Sequence, residues 1–155
     1  MTPPTRDHAD SDQTRRDHTA EEKSETAWDW VGIDHVQLAI PVGAEEIARR
    51  FYVGVFGLAE VSKPSTMAAR GGAWFERGCV RIHVGVEDPF VPAHKAHPAI
   101  TIRNLQDFID TSGLAATWNT ELVGVLRCHV SDPFGNRIEL IDVDTITDRG
   151  VVEGP

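Results

Sequence analysis

Several features that would assign a protein to a special class are missing from this sequence. No apolar run approaches the roughly 18 residues that a membrane-spanning helix needs, and the N-terminus lacks the apolar core of a signal peptide. Cysteine is scarce: Cys79 and Cys128 are too few for a disulfide framework and too far apart for a zinc knuckle. We therefore expect a cytoplasmic protein with reduced cysteines and no membrane partner.

Positive charge is also in short supply. The formal net charge is −9 at pH 7, so nucleic acid and anionic membranes are poor partners. Apolar residues make up 41% of the 155 residues, which is enough to build the core of one domain. The composition favours a globular protein whose partner is a small molecule.

The N-terminal segment has almost no large apolar side chains. Residues 1–27 contain no Val, Ile, Leu, Phe, Trp or Tyr. Such a segment cannot bury enough apolar surface to offset the entropy lost on ordering. We predict a disordered tail over residues 1–27, a folded domain over 28–142 and a C-terminal tail over 143–155.

Hydrophobic periodicity divides the domain into two similar halves. A strand, a helix and three further strands are predicted over residues 31–87, and the same order returns over 97–142. A linker with two prolines, residues 88–96, separates them, and Asn104 is the predicted cap of the second helix. The predicted strands cover residues 31–41, 58–63, 72–77, 79–87, 97–103, 114–119, 125–132 and 136–142.

Four polar residues interrupt these strands at positions of matching parity. His35, His83, His97 and Glu139 each lie opposite the apolar residues of their own strand. If the helices cover the apolar face, the four side chains share the other face and can converge. Three imidazoles and a carboxylate suit a divalent transition metal such as zinc, iron, manganese, cobalt or nickel. The sequence has no HExxH or CxxC motif. The alternative is therefore that the four residues are ordinary exposed residues that share a face by chance.

Four stretches together resemble the vicinal oxygen chelate superfamily: DHVQLAIP, ARRFYVGVFGL, HPAITIRNLQDF and DPFGNRIELID. This superfamily includes glyoxalase I, fosfomycin-resistance thiol transferases, extradiol dioxygenases and bleomycin-binding proteins. The resemblance covers about residues 31–142. It implies an α+β fold in which two βαβββ modules form a cup-shaped, eight-stranded mixed sheet. It also implies a homodimer with a metal at the bottom of the cup.

The resemblance assigns roles to individual residues. His35, His97 and Glu139 match the two-histidine, one-carboxylate ligand set of the family, and Glu139 is also the candidate catalytic group. His83 falls where the glyoxalase I branch has a glutamate, so it is a further candidate ligand. The remaining candidates face the cup by parity and could bind substrate; they are Gln37, Trp74, Arg127 and His129.

Three functions follow from these assignments. The first is a small metal-dependent enzyme of the glyoxalase type, a lyase or isomerase, that acts on a small oxygenated metabolite chelated to the metal. The second is a binding protein of the bleomycin-resistance type, which sequesters a ligand without catalysis. The third is a domain whose metal is structural, because three histidines and one glutamate could close all four positions.

Overall fold

The computed structural model describes residues 28–146. The predicted tail over residues 1–27 and most of the predicted C-terminal tail, residues 147–155, lie outside the described residues. The chain divides into two compact units after Gly32, and every described strand and helix belongs to the unit that begins at Ile33. No helix within residues 28–146 is long and apolar enough to cross a membrane.

Eight strands and three α-helices make up the described fold. The helices are α1 (Glu45–Tyr52), α2 (Ser65–Ala68) and α3 (Leu105–Ser112), and a 3-10 turn covers Val143–Thr145. The strands are β1 (Val36–Ile40), β2 (Ala59–Val61), β3 (Ala73–Arg77), β4 (Val80–Val86), β5 (Ala99–Ile102), β6 (Thr117–Trp118), β7 (Arg127–Ser131) and β8 (Arg137–Asp142).

The strands form two four-stranded sheets with the same topology. Their orders are β1-β4-β3-β2 and β5-β8-β7-β6. In each sheet the first strand pairs in parallel with the last strand, and the other pairs are antiparallel. A parallel pair needs a long crossover, and α1 and α3 lie in the two crossovers. The predicted α+β fold of two βαβββ modules is confirmed.

Strand register makes the two modules equivalent residue by residue. In the first module, Gln37 of β1 pairs with His83 of β4, which pairs with Trp74 of β3. In the second module, Ala99 of β5 pairs with Glu139 of β8, which pairs with His129 of β7. His83 therefore occupies the position that Glu139 has in the second module, and Trp74 the position of His129.

The core lies on the helix side of both sheets. Alternation sends Ile82 and Val84 of β4 towards the apolar face of α1, and Ile138 and Leu140 of β8 towards that of α3. Each of these four residues is at most 2% exposed. The same alternation leaves His83 and Glu139 on the opposite face of each sheet, where the candidate site is found.

The turn DPFGN connects β7 to β8 and is hydrogen-bonded to the first module. The Oδ1 atom of Asp132 accepts hydrogen bonds from the backbone N–H groups of Phe134 and Asn136 at 2.9 and 2.8 Å. Gly135 has a φ of +88°, which explains the glycine, so the predicted turn is confirmed. Asn136 Nδ2 also donates to the Ala39 carbonyl at 2.8 Å, and the Tyr52 hydroxyl donates to Asp132 Oδ2 at 2.9 Å.

Three local predictions are wrong. His35 and His97 precede β1 and β5, because the ladders begin at Val36 and Ala99 and Pro98 has no N–H for pairing. The side chain of Asn104 does not cap α3; instead Asp142 Oδ2 accepts from Leu105 N at 3.0 Å. Residues 143–145, predicted as loose tail, form the 3-10 turn.

Candidate metal centre

Three potential metal ligands converge on the open face of the second module. One donor atom from each of His97, His129 and Glu139 lies within 4.8 Å of the other two. This is the one such group of three or more found among residues 28–146. Register explains the convergence, since His129 lies directly opposite Glu139, and Glu139 N donates to the Pro98 carbonyl beside His97 at 2.9 Å.

The imidazole of His97 is oriented as a ligand would be. Its Nδ1 lies 2.8 Å from the Lys95 carbonyl, which can only accept, so Nδ1 carries the proton. The other ring nitrogen, Nε2, faces Glu139 Oε2 at 3.4 Å. Either a proton on Nε2 or a metal ion can lie between these two atoms. The donor set therefore fits a divalent transition metal.

A second histidine is oriented in the same way in the first module. His35 Nδ1 lies 2.7 Å from Asp34 Oδ1, and Arg81 donates to the other oxygen of Asp34 at 3.0 Å. The hydrogen bond from His35 is the main reason that the pKa of Asp34 lies below its usual value. Carboxylate–histidine pairs of this kind orient ligand histidines, and here they leave Nε2 of His35 available.

His83 is enclosed between two aromatic rings. Its centroid lies 4.2 Å from that of Trp74 and 3.9 Å from that of His35, with interplanar angles of 4° and 22°. Burial, followed by the nearby His35, lowers the pKa of His83, which favours the neutral ring. A metal lies in the plane of a ligating imidazole, about 2.1 Å from nitrogen. Two nearly parallel stacked rings cannot both hold one ion in this way without rotating.

Arg127 holds the carboxylate of the cluster. Its Nη1 donates to Glu139 Oε1 at 2.9 Å, and its Nη2 donates to Asn119 Oδ1 at 2.9 Å. Glu139 is 7% exposed, so this ion pair is shielded from water, and loss of one partner of such a pair is strongly destabilising. One oxygen of Glu139 thus faces Arg127 and the other faces His97.

His129 completes the cluster. Its ring lies edge-on to that of His97, with centroids 5.1 Å apart. Burial, followed by the positive charge of Arg137, lowers the pKa of His129. The neutral imidazole is therefore favoured, and it can act as a ligand or as a proton acceptor.

Comparison with solved structures identifies the family. A glyoxalase family protein from Bacillus anthracis is 44% identical to this chain, with a TM-score of 0.70, and the alignment covers 74% of this chain and 98% of that one. The chain belongs to the glyoxalase family of the vicinal oxygen chelate superfamily.

More distant members of the superfamily share the fold of this chain. The fosfomycin resistance protein FosX from Listeria monocytogenes is 14% identical, with a TM-score of 0.56, and 76% of this chain and 98% of that one are covered. Lactoylglutathione lyase from Agrobacterium tumefaciens is 16% identical, with a TM-score of 0.52, and 72% and 95% are covered. No protein-family model matches the chain, and no curated protein matches it.

The structure brings the four predicted metal ligands of this chain together as two pairs. His97 and Glu139 form one pair, and His35 and His83 form the other. His35 and His97 both line a groove of about 940 Å³ beside β1 and β5, which are edge strands of their sheets. Among residues 28–146, the cluster around Glu139 contains His97 and His129. It does not contain His35 or His83, the two candidate ligands of the first module.

The substrate-binding candidates have different surroundings. Arg127 and His129 belong to the Glu139 cluster, whereas Trp74 packs on His83. Gln37 lies over Gly85, where an added Cβ would be 2.9 Å from Gln37 Nε2. Sequence reasoning missed Asp34 and Asn119. Asp34 directly precedes His35 and could have been noticed, but Asn119 approaches Arg127 only through the pairing of β6 with β7.

Proposed function

We propose that this glyoxalase family protein is a small metal-dependent enzyme, a lyase or isomerase, acting on a small oxygenated metabolite. The observation that carries the proposal is the convergence of His97, His129 and Glu139, with His97 Nε2 and Glu139 Oε2 3.4 Å apart. With Nδ1 of His97 and Oε1 of Glu139 already engaged, both remaining atoms are directed at one point. A divalent transition metal held there would supply Lewis-acid polarisation of two neighbouring substrate oxygens.

The protein residues have distinct parts in this proposal. His97 and Glu139 hold the metal, and Arg127 keeps Glu139 in place. His129 is the candidate to accept a proton from a substrate carbon, because its burial favours the neutral ring. If His129 is instead a ligand, Glu139 remains the candidate base.

We further propose that the third ligand is His35 and that it comes from a second copy of the chain. His35 lies at the start of edge strand β1, and His97 precedes edge strand β5. Unpaired strand edges favour association with another chain. A homodimer that joins the first module of one chain to the second module of the other would bring His35 to His97. We assign His83 to the support of the His35 ring, because its stacked geometry suits packing.

Elemental analysis of the purified protein, before and after EDTA treatment and remetallation, tests the proposal. We expect about one transition metal per chain in the wild type and little in His97→Ala or Glu139→Ala. His35→Ala will lose metal if His35 is the third ligand, whereas His129→Ala will lose it if the site lies within the second module. A wild type that binds no metal on reconstitution would refute the enzyme proposal.

The alternative function is sequestration of a ligand without catalysis. A second cavity of about 560 Å³ lies between the modules on the helix side of β5 and β8. Phe56, Leu58, Phe108 and Leu140 are among its lining residues, and Arg77 and Arg103 line it as well. This volume is in the usual range for sites that bind small molecules. Ligand binding there that persists in the metal-free His97→Ala variant would favour sequestration.

A further inference from the structure

Arg127 projects into the open face of the second module beside the proposed metal ligands. It pairs with Ile141 in the register that pairs His129 with Glu139, so Arg127 and His129 share one face of β7. The Arg127 side chain is 15% exposed. A positive charge of this kind, mostly shielded from water, interacts strongly with whatever binds next to it.

The guanidinium of Arg127 is oriented by its neighbours. Asn119 Oδ1 accepts both from Arg127 Nη2 and from the backbone N–H of Glu121, each at 2.9 Å. The carboxylate of Glu121 lies 3.9 Å from Nη2, but its side chain is 85% exposed, so water screens this contact. Arg127 therefore depends on the Asn119 amide and the Glu139 carboxylate for its position.

The hydrogen-bonding capacity of Arg127 is not exhausted by these partners. A guanidinium has five N–H donors, and the bonds to Glu139 and Asn119 use one each. Its Nε is buried and has no hydrogen-bond partner among the described residues. Within residues 28–146, no other buried side-chain nitrogen or oxygen lacks such a partner. An unsatisfied buried donor on a charged group is costly, which is a reason to expect a further acceptor nearby.

The charges of the proposed centre do not cancel once a metal is bound. Arg127 and Glu139 form an ion pair whose charges sum to zero. In the first module, Arg81 pairs with both Asp34 and Glu76, and water screens these exposed or half-buried charges. A divalent cation beside Glu139 would add two positive charges that the Arg127–Glu139 pair does not offset. A neutral hydroxyketone would leave these charges in place, whereas a carboxylate would offset one of them.

We propose that the substrate is a small 2-hydroxy- or 2-oxo-carboxylate and that Arg127 is the residue that selects it. This inference rests on the proposed function, since the vicinal oxygens of the substrate bind the metal. Its carboxylate then accepts hydrogen bonds from guanidinium N–H groups that Glu139 and Asn119 leave free. Arg127 thus both holds a ligand carboxylate and recognises a substrate carboxylate.

Ligand binding to the Co²⁺-loaded protein tests this inference without an activity assay. Glycolate and hydroxyacetone are similar in size and both present vicinal oxygens, but only glycolate is an anion. Their dissociation constants can be measured by calorimetry and by changes in the visible Co²⁺ spectrum. In Arg127→Gln, we expect glycolate to bind about tenfold more weakly or worse, because a charge-assisted hydrogen bond is lost. Hydroxyacetone, measured at a Co²⁺ concentration that fully loads the variant, should lose much less affinity than glycolate, because it has no carboxylate for Arg127 to bind.

Two further variants keep the result interpretable. Arg49→Gln removes the same charge from an arginine of α1 that pairs with Glu60 and lines neither cavity, and it should change neither affinity. Asn119→Ala leaves the charge of Arg127 intact but removes its orienting acceptor, and it should weaken glycolate binding several-fold. If Arg127→Gln does not fold, as circular dichroism would show, Asn119→Ala provides the test.

The outcomes separate this inference from the proposed function. Equal weakening of both ligands, or unchanged glycolate affinity in Arg127→Gln and Asn119→Ala, would overturn the role of Arg127 while leaving the metal site in place. Absence of Co²⁺ binding by the wild type would overturn both proposals. Selective loss of glycolate affinity in the fully Co²⁺-loaded variants would support the carboxylate as the substrate class.

Discussion

The imidazole of His83 lies parallel to the indole of Trp74, with ring centroids 4.2 Å apart and an interplanar angle of 4°. His35 covers the other face of the same imidazole at 3.9 Å. A neutral histidine suits this environment, because protonation would place a charge in a buried position. The stack therefore holds His35, a candidate metal ligand, against His83 of β4 and Trp74 of β3.

The stability of the fold should fall as the pH drops below about 6.5, the ordinary pKa of histidine. The folded state lowers the pKa of His83, so the unfolded chain binds a proton that the folded chain does not. The free energy of unfolding then decreases with falling pH, by up to about 1.4 kcal/mol per pH unit for each such histidine. In His83→Phe, urea unfolding at pH 8 and pH 5 should show a smaller pH-dependent difference. Parallel pH profiles for variant and wild type would contradict this.

Loss of the carboxylate that orients His35 should weaken metal binding. Asp34→Ala removes the acceptor for His35 Nδ1, and loss of such a partner typically lowers metal affinity by about tenfold or more. Competition with a chromophoric chelator measures the affinity. Glu76→Ala is a matched control, because Glu76 pairs with the same arginine, Arg81, at 3.7 Å but does not contact His35. Equal affinities in the two variants would argue against a role for Asp34.

The hydrogen bond between Tyr52 and Asp132 should stabilise the fold across the two modules. Burial, with a further contribution from Asp132, raises the pKa of Tyr52, so its hydroxyl stays protonated and donates. Tyr52→Phe leaves the buried Asp132 without this donor and should cost about 1–3 kcal/mol. Urea unfolding gives the difference. A variant as stable as the wild type would mean that Asn136, which donates to the same Oδ2 at 2.7 Å, suffices.

The two cysteines should differ in reactivity. Burial raises the pKa of Cys128 to about 11, with a smaller contribution from Glu139, whereas Cys79 is exposed in the turn between β3 and β4. The thiolate is the reactive form, so Ellman's reagent should modify one thiol per native chain quickly and the second only after denaturation. Cys79→Ser should abolish the fast phase. Two fast equivalents in the native wild type would show that the strand around Cys128 opens readily.

Much of the module architecture was predictable from local sequence patterns. The alternation of β8, with Glu139 between Ile138 and Leu140, correctly places this carboxylate opposite the core. The order of the strands and of α1 and α3 also follows from periodicity and turn residues, whereas the short helix α2 was not predicted. Helix capping was less predictable: the N-terminus of α3 is satisfied by Asp142, which lies 37 positions away in the chain.

The sequence by itself determined the two βαβββ modules, the DPFGN turn and the face of β4 and β8 that carries His83 and Glu139, because these depend on periodicity and short-range sterics. Only the tertiary structure decided which polar residues meet. His129 reaches Glu139 through the pairing of β7 with β8, and Asn119 reaches Arg127 through that of β6 with β7. His35 meets His83 in the first module and lies outside the Glu139 cluster. Parity assigns a residue to a face, whereas register and module packing fix the distances on which a site depends.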